Sequence, residues 1–122
     1  MPNREKSRLR QSISKWADNS HHDAREMRAT YADSSCMSIS EAPDRERVRV
    51  RGTLRTVTLA PRGGAPALEA ELYDGSATIS VIWLGRRRIA GIAPGVSIQV
   101  EGRIGVQHGQ RVIFNPRYEL RP

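Results

Sequence analysis

Three consecutive arginines, Arg86, Arg87 and Arg88, form the longest run of like charge in a chain of 122 residues. Guanidinium groups bind phosphate oxygens through paired hydrogen bonds, so such a run is typical of a surface that binds a polyanion. A run of like charge is also commonly a solvated turn or helix start without a ligand. The elements around the three arginines decide between these two interpretations.

Residues that could carry out catalysis or bind a metal are few and scattered. His21 and His22 are adjacent, and neighbours on a helix do not face one site. His108 falls in a predicted turn. Cys36 is the single cysteine, which excludes an intrachain disulfide and leaves it without a CxxC partner. No four-ligand set has the spacing of a metal site. We therefore expect a protein that is not an enzyme and that has no metal and no cofactor.

The basic excess lies entirely in the C-terminal part of the chain. The formal net charge is +7. Residues 1–46 contain eight lysines and arginines and eight acidic residues, whereas residues 47–122 contain twelve arginines, no lysine and five acidic residues. Such an asymmetry is an argument about partners and indicates a polyanion such as nucleic acid. The exclusive use of arginine fits bidentate phosphate contacts, and it fits a codon bias equally well.

Residues 1–46 are predicted to be an N-terminal helical extension followed by a linker. Residues 3–33 are predicted to be helical. Apolar residues spaced as on one helix face begin at Leu9, and a second helix is predicted over 21–32. The linker, 34–46, is small and polar, with Ile39 as a candidate anchor. The chain has no signal-peptide pattern and no apolar run long enough for a membrane helix, so we expect a cytoplasmic protein. The extension is a candidate surface for a protein partner.

From Arg47 onward the apolar residues recur at every second position, which is typical of half-buried strands. A short helix, 86–92, is predicted between the third and fourth strands, with Ile89 and Ile92 closing the end of a barrel. Five strands with the only helix in that place have the order of an OB-fold, a small Greek-key barrel. An SH3-like barrel, which lacks the helix, is the alternative. The predicted strands span 47–55, 68–73, 78–84, 96–106 and 111–120.

The C-terminal part resembles a known family in several short segments. Segments 48–54, 74–76, 79–83, 94–95 and 100–103 are similar, in order, to OB domains of the anticodon-binding type. The ending Phe114-Asn115-Pro116-Arg117-Tyr118-Glu119 resembles the last strand of the wedge domain of RecG-type branch-migration helicases. The whole chain also resembles small standalone OB-fold proteins common in actinobacteria. The resemblance covers 47–122 and implies nucleic-acid binding by an OB-fold domain. No phosphate-binding loop of an ATPase is present.

An OB domain usually binds single strands across its second and third strands, through arginine contacts to phosphate and aromatic stacking on bases. Tyr73 falls in the outward row of the second strand. Alternation directs Trp83 inward, so Trp83 is either a core residue or a stacking surface. Phe114 is predicted to be core. The candidate nucleic-acid-binding residues are Arg49, Arg51, Arg55, Arg62, Tyr73, Trp83, Arg86, Arg87, Arg88, Arg103 and Arg111.

Glu69 and Glu71 share the outward row with Tyr73 and would repel phosphate there. We expect arginines of the first strand to pair with them, unless the ligand avoids that edge. The leading hypothesis is weak binding of single-stranded DNA or RNA with little sequence preference. The rival hypothesis is a protein-interaction or regulatory adaptor that docks through the barrel. A basic groove beside an exposed Tyr73 would favour the first, and an apolar patch around Ile82 and Leu84 would favour the second.

Overall fold

The computed structural model describes residues 35–121 together with Ala24 and Met27. The N-terminal helices predicted over 3–33 lie outside the described residues, except at those two isolated positions, and stay a prediction. Within the described part of the chain, no helix has the length and apolar character needed to cross a membrane.

The segments with a period of two form six strands, which follow a single-turn 3-10 helix at Ile39–Glu41. The predicted fifth strand is divided in two, because Asn115 adopts a left-handed backbone with φ of 49° and Pro116 follows it. Both halves still run along the same neighbouring strand. The strands are β1 (Arg47–Leu59), β2 (Ala67–Tyr73), β3 (Thr78–Leu84), β4 (Ser97–Gln107), β5 (Gln110–Phe114) and β6 (Arg117–Leu120).

The strands close into a ring because β1 has two neighbours along its length. Its first half, 47–53, pairs antiparallel with β4, and its second half, 53–59, pairs antiparallel with β2. The ring continues from β2 to β3 and from β3 to β5, which run parallel, and β5 returns to β4. This closed sheet confirms the predicted all-β barrel.

Gly52 lies where β1 passes from one neighbour to the other. A Cβ atom at this position would lie 2.5 Å from the backbone oxygen of Tyr73 and 2.9 Å from its carbonyl carbon. The end of β2 can therefore approach β1 this closely only because residue 52 has no side chain. Gly52 is therefore the residue at which β1 changes neighbours, and this change allows the sheet to close into a barrel.

The barrel interior is filled by the inward residues of all five ring strands, and two connecting segments add to it. Ile39, from the linker, is fully buried. Ile89 and Ile92, from the connection between β3 and β4, are buried as predicted. The Ile39 segment is hydrogen-bonded to the turn before β3, whereas Ile89 follows β3. The two segments therefore pack against the barrel at opposite ends of β3. The largest fully buried side chains of the strands inside the barrel are Val50, Leu54, Leu72, Ile79, Val81, Ile98, Val100, Ile104 and Ile113.

Phe114, predicted to be core, is only half-buried. It packs against a second, smaller cluster of Ala67, Ile82 and Val112, separate from the main core. Ile82 and Val112 alternate with the inward residues Val81 and Ile113, so this cluster covers the outside of the sheet.

The linker predicted to end at residue 46 packs on the barrel through a buried carboxylate. Asp74, in the turn between β2 and β3, accepts a hydrogen bond from the backbone N–H of Ile39 at 2.9 Å. Its other oxygen accepts hydrogen bonds from the N–H and hydroxyl of Ser76 and from the N–H of Ala77. The lone acid in that turn thus holds the turn and the linker together.

The short helix predicted over 86–92 is wrong. The connection from Gly85 to Val96 consists of turns and bends, and its backbone groups form two isolated hydrogen bonds of the 3-10 type, from Ile92 N–H to Ile89 O at 3.1 Å and from Val96 N–H to Ala93 O at 3.3 Å. Gly85, Gly91 and Gly95 have φ of 75°, 83° and 88°, which a right-handed helix excludes.

Replacing Gly52 by alanine tests whether barrel closure depends on the close approach to Tyr73. We expect Gly52→Ala to lower the free energy of unfolding by about 1–3 kcal/mol, because the new methyl group meets rigid backbone. In the matched control Gly105→Ala, the new Cβ has its nearest contact at 3.7 Å, so stability should change little. Denaturant melts of both variants measure the difference, and equal effects would contradict this role of Gly52.

Candidate nucleic-acid interface

Trp83 is a core residue and offers no ring face to a base. Only 5% of its surface is exposed. Its indole Nε1–H donates a hydrogen bond to the backbone oxygen of Pro116 at 3.4 Å, and its ring meets that of Tyr118 edge to face, with centroids 5.8 Å apart. The inward position that alternation predicted for Trp83 is confirmed, and its place among the binding residues is not supported by this burial.

Tyr73 is half-buried on the outer face of β2, and one side of its ring is already covered. The guanidinium carbon of Arg55 lies 3.5 Å from the ring centroid, which is a cation–π contact. Arg55 itself is exposed. A base could therefore stack on Tyr73 only by displacing Arg55 or by using the opposite ring face.

The two carboxylates of β2 are not paired with the arginines of β1. Opposite Glu69 and Glu71 in the β1–β2 register lie Thr58 and Thr56. Glu69 instead lies 3.9 Å from Arg62 of the loop between β1 and β2. The predicted cross-strand pairing is therefore wrong, because Arg49 and Arg51 lie in the half of β1 that pairs with β4, and Arg55, at the register shift between Leu54 and Thr56, lies over Tyr73.

Arg62 reaches from its loop across the outer face of β2 and β3. Its Nη1 donates to Oε1 of Gln107 at 3.3 Å, and its guanidinium lies 5.7 Å from the ring centroid of Phe114. Arg62 thus connects the β1–β2 loop to the β4–β5 hairpin, over the surface that usually binds single strands in this fold. It is exposed but already has polar partners.

The surface between these loops, which we call the β2–β3 face, has two carboxylates and several hydroxyl groups at its centre, and Arg55, Arg62 and Arg111 lie at its edges. One depression of about 190 Å³ is lined by Thr56, Thr58, Glu69, Ala70, Glu71 and Ser80. A neighbouring one of about 370 Å³ shares Glu71 and Ser80. The basic groove expected beside Tyr73 is not present on this face. The apolar patch expected around Ile82 is not there either, because Ile82 is fully buried and only Leu84 of the two is exposed.

Arg111 stabilises the linker. Its Nη1 donates to the backbone oxygen of Ile39 at 2.6 Å, its Nη2 to that of Ala42, and its Nε to Oδ1 of Asp44 at 2.9 Å. Three of its donors are used within the protein, so we assign Arg111 to the scaffold and not to a phosphate contact.

Arginines gather instead on the outer surface of the first half of β1, β4 and β6, which we call the arginine wall. The register places Arg49 opposite Glu101 and Glu101 opposite Arg117, and it places Arg47 opposite Arg103. Residues opposite one another in adjacent strands point to the same face. Among the described residues, this surface has six arginines and two glutamates, which together carry a formal net charge of +4. They are Arg47, Arg49, Arg51, Arg103, Arg117, Arg121, Glu101 and Glu119.

Glu101 is shared by two arginines of the wall. Its Oε1 accepts a hydrogen bond from Arg47 Nε at 3.1 Å, and its Oε2 accepts one from Arg49 Nη2 at 3.2 Å. These two hydrogen bonds hold the pKa of the Glu101 carboxyl below its ordinary value of 4.5. Arg103 and Arg117 are exposed and form no ion pair with a described residue.

Arg86, Arg87 and Arg88 lie fully on the surface, in the turns that follow β3. None of the three forms an ion pair with a residue in the described part of the chain. The segment that carries them contacts β6 on both sides of the run. Trp83, before it, touches Tyr118, and a Cβ on Gly91, after it, would lie 2.6 Å from Leu120 Cδ1. The arginine run therefore lies beside β6, next to the arginine wall.

Sequence reasoning missed Arg47, Arg117 and Arg121 as members of one surface. Alternation directs Arg47 outward, but only the strand register shows that β4 and β6 bring further arginines alongside it. Among the described residues, no group of three or more histidine, cysteine or acidic side chains is arranged to hold a metal ion.

Comparison with solved structures identifies the barrel. It is similar to a domain of RecG in a structure of RecG bound to a three-way DNA junction, with a TM-score of 0.60 and 21% identity over 75% of this chain. The fold is a RecG-like OB-fold. The match spans only 13% of the RecG chain.

A second similar structure is a replication protein A heterotrimer bound to single-stranded DNA. The TM-score is 0.51 with 14% identity, over 75% of this chain and 69% of that one. No protein-family model matches the chain, and no curated protein matches it in sequence. At these identities the two structures establish the fold alone.

Removing the Arg111 side chain tests its role in the scaffold. We expect Arg111→Ala to lower the free energy of unfolding by about 2–4 kcal/mol, because charge-assisted bonds to two backbone oxygens are lost. Arg103→Ala is the matched control, since it removes an exposed arginine without an ion pair to a described residue, and should cost less than about 0.5 kcal/mol. Denaturant melts compare the two. A stable Arg111→Ala variant would contradict the assignment.

The lowered pKa of Glu101 makes its contribution to stability dependent on pH. A carboxyl group with a lowered pKa in the folded state stabilises that state above its ordinary pKa, and the effect is lost as pH falls through the folded value. We expect Glu101→Gln to lower the melting temperature at neutral pH and to differ less from the wild type as pH drops below about 4.5. Glu119→Gln controls for the loss of one carboxylate from the wall. A difference independent of pH would contradict the ion-pair geometry.

Proposed function

We propose that the protein binds single-stranded DNA or RNA, weakly and with little sequence preference, mainly through contacts to phosphate. The observation that carries this proposal is the exposed run Arg86–Arg88, which has no carboxylate partner in the described part of the chain. Three adjacent cations without partners repel one another, and binding a polyanion relieves that repulsion.

The surroundings of the arginine run support the same ligand. Three glycines in left-handed conformation hold the run in turns, so its side chains project from the surface without helix contacts. Buried Ile89 and Ile92 anchor the segment to the core just behind the run. A basic loop on a rigid anchor is preorganised for a ligand, because less conformational freedom is lost on binding.

Weak sequence preference follows from the scarcity of accessible aromatic rings. Trp83 is buried, and Arg55 covers one face of Tyr73. Among the described residues, Tyr118 is the most exposed ring, with 41% of its surface accessible. Base stacking, worth roughly 1–3 kcal/mol per base, is thus limited and leaves phosphate contacts as the main source of affinity.

The similar structures are consistent with a nucleic-acid ligand. One is of RecG on a DNA junction and the other is of replication protein A on single-stranded DNA. The likeness extends to the fold, and the ligand of this chain is proposed from its own arginines. The proposal assigns no catalytic residue.

Fluorescence anisotropy with labelled single-stranded DNA, single-stranded RNA and duplex DNA over a range of salt concentrations tests the proposal. We expect both single strands to bind more tightly than the duplex, with affinity that falls steeply as salt rises. Changing Arg86, Arg87 and Arg88 together to alanine should reduce the slope of log K against log salt by up to about 2, at about 0.7 per lost phosphate contact.

The matched control changes the same three arginines to lysine. Because lysine keeps the charge, the slope should persist while the affinity falls modestly through the loss of bidentate bonds. Absence of binding by the wild type at low salt would overturn the proposal. An unchanged slope in the alanine variant would remove the arginine run from the interface.

A further inference from the structure

We propose that the phosphates of the bound strand run along the arginine wall, and not across the β2–β3 face that usually serves as the ligand surface of this fold. The inference rests on the proposed nucleic-acid function and assigns its main binding surface. It follows from the charges of the two faces, from the incomplete pairing within the wall, and from the position of the arginine run.

The two faces of the barrel differ in charge. The wall has six arginines and two glutamates. On the β2–β3 face, Glu69 and Glu71 lie in the middle of the sheet, and the loop arginine Arg62 is already near Glu69. The two other arginines at its edges also have partners in the protein, since Arg55 contacts the ring of Tyr73 and Arg111 binds the linker. A strand of nucleic acid placed on the β2–β3 face would bring its phosphates against two carboxylates. On the wall it meets an excess of cations.

The ion pairs within the wall leave part of its charge uncompensated. Glu101 is the only carboxylate within ion-pair distance of Arg47 or Arg49 in the described part of the chain, and the two arginines share it. Arg103 lies directly opposite Arg47, and like charges opposite one another destabilise a sheet. The Arg47–Arg103 repulsion is not relieved at Arg103 by any described carboxylate. An external anion bound between the two arginines would relieve it.

The spacing of the wall fits an extended polyanion better than a single phosphate group. Alternate residues of one strand lie about 6.6–6.8 Å apart, and neighbouring strands lie about 4.8 Å apart. Arginines on three adjacent strands therefore present a repeated array of donors. A groove of about 300 Å³ crosses this array, lined by Arg49, Gln99, Val100, Glu101, Arg117, Tyr118, Glu119 and Arg121.

The array continues into the arginine run. The segment with Arg86–Arg88 contacts β6 at Tyr118 and Leu120, and β6 is the outer strand of the wall. A strand that leaves the groove past Arg117 thus reaches the arginine run without crossing an acidic surface formed by β2. Tyr118 alternates with the wall residues Arg117 and Glu119 and lies opposite the buried Val100, so its ring faces Trp83 and not the wall.

A pair of double variants of the full-length protein tests which face binds. Arg103→Ala with Arg117→Ala removes two arginines that have no ion pair to a described residue, so folding should be retained. We expect the salt slope for a labelled oligothymidine strand to fall by about 1.4 and the affinity at about 0.1 M salt to fall about 25-fold. The matched control, Arg55→Ala with Arg62→Ala, removes the same charge beside the β2–β3 face and should reduce affinity much less.

A third variant tests the wall by a gain of affinity, which loss of folding cannot imitate. Glu119 is exposed on the wall, and its nearest described ion-pair partner, Arg121, lies 3.8 Å away. We expect Glu119→Gln to tighten binding of the oligothymidine strand about twofold to fivefold at low salt, whereas Glu71→Gln on the β2–β3 face should change it less. The opposite order for the two glutamine variants would overturn the inference.

The outcomes separate this inference from the proposed function. If the wild type binds no single strand at low salt, the proposed function fails and the wall loses its ligand with it. If the wild type binds and the control double variant loses more affinity than the wall double variant, the inference is wrong and the function stands.

A competition experiment tests whether the wall prefers nucleic acid over another polyanion, with polyglutamate of equal charge as the competitor. We expect unlabelled oligothymidine to displace the labelled strand more efficiently than polyglutamate does. Equal efficiency of the two competitors would overturn nucleic acid as the occupant.

Discussion

The close approach of Tyr73 to Gly52 is the constraint on which the rest of the barrel depends. One strand, β1, must pair with β4 along its first half and with β2 along its second half. The change of partner requires a bend, and the backbone oxygen of Tyr73 occupies the space that a side chain at residue 52 would need. The strand is therefore divided at a single residue, and its two halves belong to different surfaces of the molecule.

This division explains why one strand contributes to two faces of different charge. Before Gly52 the outward residues of β1 are arginines, and they lie beside β4 and β6. After it the register shifts, and the outward residues beside β2 are Arg55, which contacts Tyr73, and Thr56 and Thr58, which lie opposite Glu71 and Glu69. The carboxylates of β2 thus lie beside hydroxyl groups. The bend at Gly52 and the register shift between Leu54 and Thr56 thus place the arginines and the carboxylates of the sequence on different faces of the barrel.

Much of the fold could be predicted because period-two alternation reports directly on which side chains face a core. The limits of β3, the inward position of Trp83, the burial of Ile89 and Ile92 and the anchoring by Ile39 all followed from it or from simple apolar placement. The connection after β3 could not be predicted in this way. Its apolar spacing fits a helix, but the left-handed glycines that prevent one belong to a turn geometry that spacing does not encode.

The candidate site was predicted less well, because charge partners depend on register. The sequence shows that Arg49 points outward, but it does not show that its carboxylate partner is Glu101, more than fifty residues away in β4, instead of one in β2. Arg111 and Arg103 look alike in sequence, both being arginines within predicted strands. Packing distinguishes them, since one binds three groups of the linker and the other is exposed.

The hydrogen bond from Met37 N–H to Arg49 O, at 3.0 Å, determines where the preceding chain is attached. It covers the edge of β1 that faces away from β4, which would otherwise be open to another strand. The linker thus stabilises the barrel at two places, through the buried Ile39 side chain and through this hydrogen bond at the edge of the first strand.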